Sequence, residues 1–200
     1  MKLHLGSGSR YLEGYLHVDI ADYEHIDIKS SVDKLNTIDN DTVDEIYASH
    51  VLEYFDRNEV ESVLNEWKRV LKKDGVLRIA VPNFEALIKV YQETAEIEKI
   101  LGPLYGKWDL TDGNFIYHRT VYDKNSLTKL LERIGFSDIE LWDWREVFKD
   151  NLGYDDHSQA YFPHMDKENG MLMSLNLEGR KNSEVNDDEC KFGKSPWREK

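Results

Sequence analysis

Apolar positions fall along this chain in short runs separated by polar, glycine-bearing turns. Residues 2–5 (KLHL) and 15–20 (YLHVDI) read as short strands, with one short helical turn between them. The first runs directly into Gly6-Ser7-Gly8. Residues 45–49 (EIYAS) form a third apolar segment, introduced by the turn-forming Asp39-Asn40-Asp41-Thr42. From there the period changes. Val60, Val63, Leu64, Trp67, Val70 and Leu71 recur at helical spacing, which predicts a helix over 57–73. Asp56 and Glu59 have capping-box spacing at its start, and Gly75 stands where a terminator belongs.

Residues 76–81 (VLRIAV) are almost continuously apolar and stop at Pro82, the pattern of a strand buried on both faces. A helix is expected after Asn83. Another is expected over 124–134, with Leu127, Leu130, Leu131 and Ile134 on one side and Gly135 ending it. Residues 138–142 and 171–177 read as closing strands. Alternation of this kind predicts an α/β fold with an open, mostly parallel sheet. Residues 143–170 break the rhythm. They carry histidines and aromatics with little periodicity, so a lid-like insertion before the last strand is expected. Residues 181–200 are polar and read as a flexible tail behind a single domain over 1–180.

Composition narrows the partners. The 200 residues carry a net charge of −13, with a pI of about 5.0 and mean hydropathy of −0.65. A field of that sign repels phosphate backbones and anionic bilayers, so neither nucleic acid nor membrane is expected as a partner. No apolar run approaches the ~20 residues that span a bilayer, and no secretory leader is visible. Cys190, the single cysteine, makes neither an internal disulfide nor a cysteine-based zinc site, which suits a reducing cytoplasm.

The candidate chemistry lies at the strand ends. Open parallel sheets bind ligands beyond the carboxyl ends of their strands. Here those ends carry Gly6-Ser7-Gly8-Ser9, then Asp19, then Ser49-His50. Glycines let backbone N–H groups approach a ligand closely, and a carboxylate at the next strand end can accept two hydrogen bonds from a ribose diol. Together they suggest a nucleoside-containing cofactor. A dinucleotide fingerprint fits poorly: Tyr11 stands where the third glycine belongs, and Asp19 follows Gly8 too soon. The lysine and hydroxyl of a P-loop are missing as well.

Four blocks in this order and spacing carry a resemblance: HLGSGSRYLEGYLHVDI, DEIYASHVLEYF, NEWKRVLKKDGVLRIAVPNF and HSQAYFPHMDKENGMLMSLNLEG. Over roughly residues 2–180 the chain resembles the class I S-adenosylmethionine-dependent methyltransferases, in particular their small type-11-like members. The resemblance implies a Rossmann-like, mostly parallel seven-stranded sheet with helices on both faces and S-adenosyl-L-methionine as cofactor. It implies that Gly6, Ser7 and Gly8 cradle the methionine and ribose part. Asp19 would bind the ribose hydroxyls, Asp33 would face the adenine amino group, and Ser49 and His50 would lie near the sulfonium. Two positions depart from the pattern. The acid usual two residues before the first glycine is His4 here, and Arg10 takes the usual third-glycine position.

Methyl transfer needs a base only where the acceptor must lose a proton, and imidazole titrates in the right range. His118, His157 and His164 are the candidates, His118 first. His50 and Glu53 share one helical face, but no paired metal-ligand spacing appears, so no metal is expected. The expected reaction is methyl transfer to a hydroxyl or amine of a small molecule, with a sugar or glycan precursor suggested by the resemblance alone. Two other readings stay open: an NAD-dependent or nucleotide-sugar enzyme, and a non-catalytic cofactor-binding domain with a protein partner.

Overall fold

The computed structural model describes residues 1–109, 113–151 and 153–182. Of the tail expected over 181–200, Lys181 ends a strand and Asn182 follows it, while the rest, with Cys190, lies outside the described residues.

Seven strands form one sheet: β1 (Lys2–Leu5), β2 (Leu16–Asp19), β3 (Ile28–Lys29), β4 (Val43–Ser49), β5 (Leu71–Pro82), β6 (Phe136–Leu141) and β7 (Ser174–Lys181). Their spatial order is β3-β2-β1-β4-β5-β7-β6. The first five run parallel, with Leu3 of β1 level with Leu16 on one side and Ile46 on the other. β7 lies antiparallel between β5 and β6, with Leu177 beside Ile79 and Leu141. The expected seven-stranded, mostly parallel sheet is present.

One face is packed by α1 (Val60–Val70) and α4 (Lys124–Ile134). Leu3, Leu5, Val18, Ile46, Leu77, Ile79 and Leu177 meet Val63, Leu64, Trp67, Leu127 and Leu131 there, all buried. Full burial of one such side chain stabilises the fold by about 1.5–3 kcal/mol. Trp67 also satisfies its indole N–H, which donates to the Val32 carbonyl at 2.8 Å. The opposite face carries an aromatic layer of Tyr47, Trp142 and Phe148 with Leu12 and Ala80, beside the single turn α5 (Trp144–Val147). A smaller cluster joins α2 (Phe84–Thr94) and α3 (Glu98–Tyr105) to Met173.

Local rules account for most boundaries. The Asp56 carboxylate accepts from the N–H groups of Asn58 and Glu59, and Glu59 accepts from that of Asp56; this reciprocal pair closes the turn over 57–59, so α1 starts at Val60 and not at 57. Asn83 caps α2. Asp123 and Ser126 form a full capping box, and Gly135 ends α4 in the left-handed region. α1 differs from expectation at its C-terminal end. It stops at Val70 because Leu71 is already extended and pairs with Val43, so residues 71–73 belong to the strand and not the helix. The left-handed residue of the following turn is Asp74 (φ 59), not Gly75.

Residues 171–172 pair with 161–162 in a separate two-stranded sheet, so the last strand of the main sheet begins at Ser174. The insertion before it is packed rather than loose: Asp156, Ser158 and Gln159 are buried against the sheet. Among the described residues no helix is long and apolar enough to cross a membrane.

Candidate active site

The parallel strands deliver their carboxyl ends to one edge of the sheet, and a cavity runs along it. Gly6, Ser7, Gly8 and Ser9 line it after β1, Asp19 at the end of β2, Ser31 and Val32 after β3, and Ser49 with His50 at the end of β4. The far wall comes from Tyr54 and Phe55, from the insertion residues Asp156 and His157, and from Trp108 and Ile116 of a short antiparallel pair.

The glycine loop is fixed by its backbone. Gly6 has φ +62, and a Cβ there would lie 2.5 Å from a Val51 methyl, so any side chain would displace the Val51 packing. Gly8, at φ +53, donates its N–H to Asp19 Oδ2 at 2.8 Å. The other Asp19 oxygen accepts the Ala21 N–H at 2.7 Å, so the carboxylate is held edge-on while it lines the cavity. Trp108 packs its ring edge against Gly8, 3.3 Å from where a Cβ would stand.

Three buried polar atoms on the cavity wall have no hydrogen-bond partner among the described residues: His4 Nδ1, Ser7 Oγ and Ser49 Oγ. An unmet buried group costs about 1–3 kcal/mol. Their clustering along one cavity marks groups that a polar ligand would satisfy. A ligand with ribose hydroxyls and an amino-acid end fits that donor and acceptor set.

Behind His50 lies a second cluster. Glu53 is 1% exposed, and its Oε1 stands 3.4 Å from His50 Nδ1 and 3.7 Å from His118 Nε2. Burial pushes the Glu53 carboxyl up to about 8, and burial first, then the neighbouring imidazoles, hold His50 well below the ordinary range. His118 Nδ1 lies 3.1 Å from the Pro103 carbonyl, which assigns the ring proton to Nδ1 and turns Nε2 toward Glu53 as an acceptor. At neutral pH this arrangement holds a protonated carboxyl between two neutral imidazoles. His50 itself sits at φ 54 with its N–H on the Ala80 carbonyl, a conformation uncommon outside glycine and found often at functional sites.

Residues 6–79 match the family model described as methyltransferase domain. The fold compares with a methyltransferase from Archaeoglobus fulgidus at 16% identity and TM-score 0.54, covering 90% of this chain and 85% of that one. It compares with a methyltransferase from Thermotoga maritima at 14% identity and TM-score 0.57, covering 90% and 82%. A third structure is the Burkholderia thailandensis 1,6-didemethyltoxoflavin-N1-methyltransferase with that substrate and S-adenosylhomocysteine bound. It is 12% identical, with TM-score 0.53 and coverage of 90% and 70%. The fold is that of the class I S-adenosylmethionine-dependent methyltransferases. No curated protein matches it.

Of the cofactor residues expected from the sequence, Gly6, Ser7, Gly8, Asp19, Ser49 and His50 come together on this cavity. Asp33 does not. It lines a neighbouring depression with Asn58 and Arg119 and accepts a hydrogen bond from Ser31 Oγ, while Ser31 and Val32 reach the main cavity. The three expected base candidates separate. His157 is exposed and lines the cavity, His118 stands behind Glu53, and His164 is exposed on the insertion away from the cavity lining. Asp156 and Trp108 went unnoticed in the sequence. Neither sits in a motif, and both reach the cavity only through tertiary packing.

Proposed function

We propose that the enzyme methylates a hydroxyl or amine of a small-molecule acceptor, with Asp19 and the Gly6–Ser9 loop holding the cofactor. The observation that carries this reading is the set of cavity-facing groups at the strand ends: Asp19 fixed by Gly8 N–H, and the unpartnered Ser7 and Ser49 hydroxyls beside it. When bound, S-adenosylmethionine would supply a sulfonium methyl for in-line attack by an acceptor lone pair, with S-adenosylhomocysteine leaving as the thioether. Asp19 accepts the ribose hydroxyls, and Ser31 and Val32 border the adenine. Asp33 serves from the adjacent depression through Ser31.

His157 accepts the proton that the acceptor releases, because it alone of the three candidates reaches the cavity. His118 is a positioning residue that acts on His50 through Glu53. The bound ligand of the Burkholderia relative supports a small-molecule acceptor, and the sequence resemblance supports a sugar or glycan precursor. The strand order argues against the dinucleotide alternative, since Rossmann dehydrogenases run 3-2-1-4-5-6 without an antiparallel strand inserted before the sixth. The single cysteine supports a cytoplasmic location.

Turnover decides the matter. The full chain, incubated with S-adenosylmethionine and separate panels of sugars, amines and carboxylic acids, should form S-adenosylhomocysteine in an acceptor-dependent way. His157→Ala should slow that turnover by about 10²–10⁴-fold while retaining S-adenosylhomocysteine binding. Cofactor binding without turnover on any panel would support the non-catalytic reading instead. Unchanged turnover in His157→Ala would remove His157 as the base.

A further inference from the structure

The aromatic face of the sheet holds one carboxylate with no countercharge. Asp156 is 8% exposed, and it reaches β4 from the insertion, 109 positions along the chain from Tyr47. Its Oδ2 accepts from the hydroxyls of Tyr47 at 2.5 Å and Tyr154 at 2.9 Å, and its Oδ1 from Ser158 N–H at 2.8 Å and Ser158 Oγ at 2.6 Å. All four donors are neutral. Among the described residues no lysine, arginine or histidine comes within ion-pair distance of it. Buried charges are ordinarily paired, because hydrogen bonds alone offset only part of the lost hydration. Four aimed donors fix the orientation of the Asp156 carboxyl, and the cavity is the side from which a cation can reach it.

The strand order says which part of a ligand lies there. With ribose on Asp19 of β2 and adenine toward β3, the rest of an adenosyl ligand extends over β1 and β4, where His4, Ser49 and Asp156 line the wall. His4 completes the argument. It is 2% exposed with Nδ1 unpartnered, and burial lowers its pKa to about 3 in spite of Asp156 nearby. The ring is therefore neutral and supplies no positive charge to Asp156. A carboxylate at position 4 would set two buried anions side by side, of which one would have to take up a proton. Arg10 is the one lysine or arginine among the cavity-lining residues, and its charge is felt at Tyr154, on the Asp156 side.

Resting on the cofactor reading above, we propose that Asp156, carried by the insertion, receives the α-ammonium group of the cofactor's methionyl end, with Arg10 facing its carboxylate. The insertion is then part of the cofactor site and not only a cover over the acceptor. His4 and Asp156 together take the place of an acid on β1.

The test compares two ligands by calorimetry on the full chain: S-adenosylhomocysteine, and 5′-methylthioadenosine, which lacks the amino-acid end. Asp156→Asn should weaken the first by about tenfold to a hundredfold, the loss of one charge-assisted hydrogen bond, and leave the second within about twofold. Equal affinity of variant and wild type for S-adenosylhomocysteine would overturn the proposal, as would a matching loss for both ligands. A fold-independent arm uses the wild type with S-adenosylhomocysteine lacking its amino group, which should bind at least about tenfold more weakly than the parent. Equal binding there also overturns the proposal. Failure of the wild type to bind either adenosyl ligand would instead defeat the cofactor reading on which it rests.

Discussion

Successive residues of the same strands meet opposite environments on the two faces of the sheet. Leu3, Leu5, Ile46, Ala48, Leu77, Ile79, Leu175 and Leu177 point into a dry layer against α1 and α4. Their neighbours His4, Tyr47, Arg78 and Asn176 point the other way. There Tyr47 bonds Asp156, Arg78 bridges Glu45 and Glu178, and Asn176 donates to the Ser158 carbonyl. The first face requires only volume and apolarity. The second needs a partner for nearly every group, and where partners run out, at His4, Ser7 and Ser49, the cavity begins. Not every unmatched atom is a site atom, since His25 Nε2 and Asn176 Oδ1 are unmatched away from the cavity lining.

The contrast makes graded predictions. Trp67→Ala, on the dry face, should cost about 3–5 kcal/mol in urea unfolding and leave cofactor affinity per folded molecule unchanged. A change in affinity would show that the faces are coupled. Tyr47→Phe conserves volume but takes a donor from the buried Asp156 carboxylate, and should cost about 1–3 kcal/mol by the same measurement. A cost no larger than that of a simple methyl deletion would mean that the polar face is held by packing alone.

The smallest effect is a pH dependence. The Glu53 carboxyl is raised from its ordinary 4.5 to about 8, so between those values the folded protein keeps a proton that the unfolded chain has lost. Glu53 therefore lowers stability as pH rises through that window, and its effect ends above about 8. His4, His17, His50 and His118, all lowered first by burial, act oppositely: below about 6.5 the unfolded chain takes up protons that the folded protein refuses. Stability should therefore peak near pH 6.5 and fall by roughly 1–2 kcal/mol toward pH 8, a fall that Glu53→Gln flattens. An unchanged alkaline slope in the variant would take Glu53 out of this account.

The dry face was the more legible of the two. Leu127, Leu130, Leu131 and Ile134 set α4 to the residue, because amphipathic spacing and two caps agree there. Spacing misjudged the end of α1 because Leu71 continues the helical stripe while its backbone has left to pair with Val43. Strand direction leaves no trace in an apolar run, so the antiparallel β7 was not readable from residues 171–177. At the site, the Gly6, Gly8 and Asp19 group was readable because its members lie close in sequence and their roles are set by backbone geometry. Asp156 was not, since its environment comes from Tyr47, a whole domain away along the chain. His118 looked like a cavity residue in sequence. Its ring is instead turned to Glu53 by the Pro103 carbonyl.

The claim at the centre of this account is that the polar edge of the sheet is an adenosyl cradle organised by Asp19. Calorimetric titration of the full chain with S-adenosylhomocysteine, in parallel with NAD and with the Asp19→Asn variant, tests it most directly. The account predicts saturable binding of S-adenosylhomocysteine, weakened at least about tenfold in the variant, and no binding of NAD. Absence of S-adenosylhomocysteine binding by the wild type, or undiminished affinity in Asp19→Asn, would contradict it.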